Sequence, residues 1–186
     1  MAREKTTVLR VRELDDQRII FEAMVHRVGG GHATRAFSRA INHETAKAQT
    51  AVKRVIASST GIRAGDVQKQ IRRTRATVNN LSASIVARGE AFPLKYFGAK
   101  QFSFGVRAKP WGQWQRFPHA FVSASLGGHV FVREGSGRLP IRQLWGPSVP
   151  AELMRPAAIA AFDYASGEIV DRALYELRRI FERRRS

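Results

Sequence analysis

The 186-residue sequence contains no cysteine. This absence excludes disulfide bonds, thiolate metal sites and a cysteine nucleophile. The sequence also has no run of about 18 apolar residues, and its N-terminal residues lack the apolar core of a signal peptide. We therefore expect a soluble protein that suits a reducing cytoplasm and has no membrane partner.

Acidic residues are scarce. The chain has 15 acidic and 32 basic side chains, which gives a formal net charge of +17. The excess is uneven, since residues 1–60, 61–116 and 117–186 carry net charges of +5, +9 and +3. Such a charge attracts polyanions, so nucleic acid or an acidic protein surface is the natural partner. A basic surface that is only solvated is the alternative.

Patterns typical of enzymes are also missing. The five histidines lack the paired spacing of a zinc-binding helix. Glycines 29–31 lack the consecutive lysine and serine or threonine of a phosphate-binding loop. No Asp or Glu lies between residues 91 and 133, which argues against paired catalytic carboxylates there. We predict no enzymatic activity, no metal and no cofactor.

Residues 92–148 form the predicted β core, which holds all three tryptophans and five of the seven prolines. Alternating or β-branched runs predict three strands, at residues 101–107, 119–125 and 129–134. Gly127 and Gly128 fit a tight turn between the last two. We expect one antiparallel meander, joined by a strand within 77–88 and accompanied by an edge strand at 6–12.

Helical periodicity flanks this core. A long helix is predicted over residues 33–58, where apolar side chains recur every three to four residues. A shorter helix over 17–28 is expected before it, capped by Asp15 and Asp16 and stopped by the three glycines. A C-terminal helix is predicted over 168–184. Its apolar seam consists of Val170, Leu174, Leu177, Ile180 and Phe181.

These elements predict an α+β fold in which a long N-terminal helix and a C-terminal helix pack on a central antiparallel β-sheet. The length fits a single domain, residues 1–186. Within it we expect a mainly helical part at 1–76, the β core at 77–149 and a helical part at 150–186. In the last part, Pro156 breaks or restarts a helix.

Residues 57–73 carry the strongest competing signal. Ala57, Gly61 and Val67 have the spacing of a helix-turn-helix module, in which two helices cross closely. Gly61 would follow the long helix, and Asp66 would cap a second helix that runs to about residue 75. That helix would present Gln68, Lys69, Gln70, Arg72 and Arg73 as DNA contacts. A structural helix pair with a basic face is the other interpretation.

The tryptophans are the other candidates for binding. They lie close in sequence to Lys109, Arg116, Arg138 and Arg142. Aromatic rings beside cations stack on single-stranded bases, anchor a protein interface or close a sheet. We expect core packing for Trp145. Interface anchoring is at least as well supported for Trp111 and Trp114, which lie in a turn-like loop.

An ordered series of motifs runs through the β core. Its members are PLKYFGA at 93–99, GV at 105–106, KPWG at 109–112, PHAF at 118–121, GHVFVR at 128–133, RLPI at 138–141 and LWGPSVP at 144–150. In order and spacing this series resembles the prophage minor tail protein Z family. These are proteins of long-tailed phages and prophages, associated with tail completion. The similarity extends, more weakly, over the helices on both sides.

The resemblance implies a structural virion protein at the head-proximal end of the tail, acting in tail assembly and head–tail joining. Its partners would be further copies of itself in a ring, and neck or tail proteins such as the tail terminator, the tail tube or the head–tail connector. A hexamer is expected because phage tails usually carry sixfold symmetry. The protein would lie in the neck of the virion after assembly in the host cytoplasm. Non-specific contact with genomic DNA is a further option.

Two groups of residues are candidates for these contacts. The subunit or partner interface would use Trp111, Trp114, Arg138, Leu139, Pro140, Ile141 and Trp145. A patch that faces DNA or an acidic partner would use Lys69, Arg72, Arg73 and Arg75. The alternative function is a phage or prophage DNA-binding protein that uses residues 57–73. A third interpretation is a single-strand binder that uses the tryptophans.

Overall fold

A computed structural model describes residues 5–11 and 30–185 of the chain. The predicted helix over 17–28, with its cap at Asp15 and Asp16, lies outside the described residues. The helices are α1 (Gly30–Thr60), α2 (Ala64–Gln70), α3 (Val149–Leu153), α4 (Pro156–Ser166) and α5 (Ile169–Arg185). The strands are β1 (Lys5–Val11), β2 (Ile71–Thr74), β3 (Ala83–Gly89), β4 (Lys100–Phe102), β5 (Gly105–Ala108), β6 (Gln115–Pro118), β7 (Ala120–Ser123), β8 (His129–Arg133) and β9 (Ile141–Gln143).

The long helix α1 confirms the predicted apolar stripe. Its buried members include Phe37, Ala40, Ile41, Ala48, Val52 and Ile56. Many are alanines, so α4 and α5 can pack closely against this face. The helix is followed, as predicted, by a left-handed glycine: Gly61 has φ 78°, and its N–H donates to the Ala57 carbonyl over 3.0 Å.

The C-terminal helix α5 is present, and its predicted seam is confirmed at Leu177 and Ile180 but is wrong by one position in the first half of the helix. Ile169, Ala173 and Leu177 are buried, whereas Val170 and Leu174 are only half-buried. Ala173 packs against Ala40, and this small pair lets the two helices approach closely. The Pro156 prediction is confirmed as a restart, because Pro156 is the first residue of α4.

Three antiparallel three-stranded sheets replace the single central meander. The first has the order β1-β3-β2, which confirms β1 as an edge strand. Ala83, Ile85 and Ala87 of β3 are buried, as their alternation predicts. The other two sheets have the orders β4-β5-β6 and β7-β8-β9. The predicted hairpin at Gly127 and Gly128 is confirmed, with φ 69° and 70°.

The predicted strand at 101–107 is instead a hairpin. Ser103 and Phe104 turn the chain between β4 and β5, and Phe102 pairs with Gly105. Gly105 has φ 139°, and a Cβ there would lie 2.3 Å from the Phe117 carbonyl oxygen. Only glycine therefore fits where β5 approaches β6 this closely.

One hydrophobic core joins the helices to the three sheets. Its fully buried side chains include Val52 and Ile56 of α1, Ile85 of β3, Val106 of β5, Val130 of β8 and Leu153 of α3. The side chain of Gln101 also links two sheets, because it accepts from the Val122 N–H over 2.9 Å and donates to the Gly105 carbonyl over 3.0 Å. The α+β prediction is confirmed, with a sheet layer built from three small sheets.

Candidate interaction surfaces

The segment 57–73 forms the predicted pair of helices only in part, because the second helix is shorter than expected. Helix α2 begins at Ala64 and ends at Gln70, and Ile71 to Thr74 already form strand β2. Arg72 and Arg73 therefore lie on a strand, and the second helix has no room to present them. Ile71 pairs with Ala87 of β3, and this pairing outweighs the helical spacing of Val67 and Ile71.

Asp66 does not cap α2 as predicted. It lies within the first turn, and its carboxylate accepts from Lys69 Nζ over 2.8 Å and Arg63 Nε over 3.0 Å. The hydrogen bond from Lys69, with the positive charge of Arg63, lowers the pKa of Asp66. Lys69 is thus already paired with an anion of its own helix.

The four cations predicted to form one patch have different environments. Arg72 and Arg75 are exposed, whereas Arg73 is half-buried and its Nη1 donates to the Asn42 carbonyl over 2.9 Å. Burial, and then the charge of Arg75, lower the pKa of Arg73. Arg73 therefore connects β2 to α1.

Trp111 makes contacts within the protein, and its predicted role as an interface anchor stays a prediction. It is half-buried, has φ 54°, and its indole Nε1 donates to Glu152 Oε1 over 2.9 Å. Glu152 is buried, and its second oxygen pairs with Arg155 Nε over 3.1 Å. A cleft of about 540 Å³ opens beside these groups. Both oxygens of the Glu152 carboxylate, which lines this cleft, are therefore already bound.

The other two tryptophans are exposed. Trp114 is 51% exposed, and the Arg107 guanidinium lies 4.5 Å from its ring centre. Trp145 is 41% exposed, so the prediction of core packing is wrong. It lies two residues after strand β9, and its backbone forms an isolated bridge with Pro93.

Residues 138–141 lead into strand β9. Arg138, Leu139 and Pro140 are exposed, and Leu139 is 71% exposed. Ile141 is half-buried because it is already part of β9. Arg133 Nη1 donates to the carbonyl of Arg138 over 3.3 Å, which holds the loop against the end of β8. This loop presents an apolar side chain to solvent.

The sheet β4-β5-β6 brings together three cations that the sequence analysis did not group. Lys100 pairs with Arg107, and Arg107 pairs with Arg116, so the three side chains lie in one row on one face. We call Lys100, Arg107 and Arg116 the cation row. All three are exposed. The sequence signal for this row is a turn within Phe102-Ser103-Phe104-Gly105, because a turn there aligns Lys100 with Arg107.

Among residues 5–11 and 30–185, no group of three His, Cys, Asp or Glu residues is placed to hold a metal ion. In the same part of the chain, no helix is long and apolar enough to cross a membrane.

Comparison with known proteins agrees with the motif series. No curated protein and no solved structure matches the chain significantly. A family model described as prophage minor tail protein Z (GPZ) matches residues 26–183. This match includes α1 through most of α5 and all the surfaces described above. The chain therefore belongs to the prophage minor tail protein Z family, the structural minor tail proteins of prophages.

Proposed function

We propose that this protein completes the tail at its head-proximal end. Several copies form a ring around the DNA passage, and the ring joins the tail to the head through contacts with neck and tail proteins. A hexamer fits the sixfold symmetry usual in tails. The proposed mechanism is geometric, because the ring acts through the surfaces that its subunits contribute.

The observation that carries the proposal is the uneven exposure of large apolar side chains. Eleven such side chains are exposed in the described residues, and seven of them lie between residues 96 and 145. The seven are Tyr96, Phe102, Phe104, Trp114, Leu126, Leu139 and Trp145. Exposed apolar groups concentrated in one segment are typical of surfaces that contact other proteins.

Strand edges support the same interpretation. In the described part of the chain, β9 pairs only with β8, and β6 pairs only with β5. An edge strand has free backbone N–H and C=O groups that can pair with a strand of a neighbouring subunit. Leu139 precedes β9 and Trp145 follows it, so exposed apolar side chains lie at both ends of this edge strand. We infer that this edge contacts the next subunit in the ring.

Deletion of the gene from its phage or prophage tests the proposal. We expect separate heads and tails, which electron microscopy and plaque counts would show. The wild-type gene supplied in trans should restore joining. Normal infectious particles after deletion would contradict a role in tail completion.

Substitutions at the proposed interface test whether these residues make the contacts that head–tail joining needs. We expect Leu139→Ser combined with Trp145→Ser to fail to restore joining while the purified variant stays folded. Tyr164→Ser is the matched control, because Tyr164 is 90% exposed on α4, outside the proposed interface. Equal rescue by the double variant and the control would remove this edge from the interface.

A further inference from the structure

The cation row is an unusual arrangement within a sheet. Lys100, Arg107 and Arg116 occupy directly opposed positions on neighbouring strands, where like charges repel each other. No carboxylate of the described residues forms an ion pair with any of the three. The segment from residue 91 to 133 that contains them has no acidic residue at all. The repulsion is therefore not compensated within this part of the chain.

Aromatic rings hold two of the three cations in place. The Arg107 guanidinium lies 4.5 Å from the ring centre of Trp114, and the Arg116 guanidinium lies 5.1 Å from that of Phe104. Phe104 in turn stacks on Phe102, with ring centres 5.4 Å apart. A guanidinium that lies over a ring keeps its N–H edge free for hydrogen bonds. This face of the sheet therefore presents guanidinium N–H donors in fixed orientations, without carboxylate acceptors of the described residues beside them.

We propose that this face of the β4-β5-β6 sheet binds the phosphate backbone of double-stranded DNA without sequence preference. Strands lie about 4.8 Å apart, so the row spans about 10 Å. One DNA strand offers a phosphate every 3.4 Å or so along the axis, which supplies several anions over that length. Guanidinium groups bind phosphate oxygens in a bidentate geometry.

Two observations favour duplex DNA over other anions. An acidic protein surface that matched the row would need several carboxylates in adjacent positions, whereas the covalent backbone of DNA carries closely spaced charges along its whole length. Single-stranded DNA binds such surfaces by stacking its bases on aromatic rings. Here one face of Trp114 is covered by Arg107, and Phe104 lies against both Arg116 and Phe102. The arginines therefore occupy one face of Trp114 and one face of Phe104, which limits base stacking to the part of each ring that stays exposed.

This inference rests on the proposed function for its place in the virion, because a ring around the DNA passage would bring the cation row next to duplex DNA. The binding itself is measurable on the purified protein and is independent of head–tail joining. A protein that binds DNA through the row but is dispensable for joining would separate the two proposals.

The test is fluorescence anisotropy with a labelled duplex of random sequence, titrated at several salt concentrations. The variant neutralises the row with Lys100→Gln, Arg107→Gln and Arg116→Gln. The matched control neutralises three other exposed cations, outside both candidate patches, with Arg35→Gln, Arg54→Gln and Arg88→Gln, so both variants lose the same net charge. Thermal unfolding of all three proteins checks the fold. Relief of repulsion should leave the row variant at least as stable as the wild type.

We expect the row variant to lose at least tenfold in affinity near 0.1 M salt, and its slope of log K against log salt to fall by about 2.7, the value for three phosphate contacts. The control should lose less than about threefold. Equal losses in both variants would show only general electrostatic attraction and would overturn the proposal. Tighter binding of single strands, or equally effective competition by polyglutamate at the same charge concentration, would overturn the assignment to duplex DNA.

Discussion

The indole Nε1 of Trp111 donates to Oε1 of the buried Glu152 carboxylate over 2.9 Å, and this bond connects the loop between β5 and β6 to helix α3. The same carboxylate pairs with Arg155 at the start of α4. One buried acid therefore fixes the β-rich half of the molecule against the helices. Trp111 is a structural residue of the domain.

Trp111→Phe should destabilise the protein by about 1 to 3 kcal/mol, because a buried carboxylate loses a hydrogen-bond donor. Urea denaturation measures this difference. Trp114→Phe is the control. Its ring is exposed and phenylalanine can still stack on Arg107, so we expect a change within about 0.5 kcal/mol. Equal effects of the two substitutions would contradict the structural role of Trp111.

Substitutions of Arg73 and Arg72 should also differ in their effect on the free energy of unfolding. Arg73→Ala removes the donor to the Asn42 carbonyl and should cost about 1 to 2 kcal/mol. Arg72→Ala, at the exposed neighbouring position, should change stability by less than about 0.5 kcal/mol. Chemical denaturation of both variants tests this. If Arg73→Ala were as stable as the wild type, the hydrogen bond to Asn42 would not contribute to stability, and Arg73 would count as a free surface cation.

Gly105→Ala should prevent folding or cost about 3 kcal/mol or more, since its Cβ would overlap the Phe117 carbonyl oxygen in a backbone conformation suited to glycine. Gly128→Ala is the matched control. Gly128 also has a positive φ, 70°, but a Cβ there meets nothing within 4 Å. It should cost about 1 kcal/mol from backbone strain alone. Thermal unfolding of both variants measures the difference in their loss of stability. Equal losses would contradict the close approach of β5 and β6.

Glu44 should make stability depend on pH. Burial alone would raise its pKa, but hydrogen bonds from Lys47 and His43, together with their charges, outweigh burial and lower it below the ordinary value of 4.5. A lowered pKa in the folded state means that the contribution of Glu44 is fully present above pH 4.5 and is lost as the pH falls through the folded value.

Glu44→Gln should therefore be less stable than the wild type at pH 7, and the difference should shrink below pH 4.5. Denaturation curves at several pH values measure this. Glu90→Gln, an exposed position, is the control and should follow the wild-type curve. A constant difference between Glu44→Gln and the wild type over the whole range would contradict the assignment.

The sequence predicted elements whose signal is local. The stripe of α1, the glycine after it, the hairpin at Gly127 and Gly128 and the alternation of β3 are each contained in one short segment, and all are present. Exposure of Trp145 depends instead on which sheet β9 joins, and that pairing is not local.

The errors lie where tertiary pairing overrode a local pattern. Val67 and Ile71 have helical spacing, but Ile71 pairs with β3 and ends the helix. Phe104 is not a typical turn residue, so the alternation over 101–107 predicts one strand where the structure has the hairpin that aligns Lys100 with Arg107. The cation row was missed for this reason, since it exists only across strands.

The central claim is that this protein lies at the head-proximal end of the tail. Immunogold labelling of a tagged copy in otherwise wild-type particles, viewed by electron microscopy, tests it most directly. The account predicts gold at the junction of head and tail in joined particles, and at one end of free tails. Gold along the tail shaft or at the distal tip would contradict it.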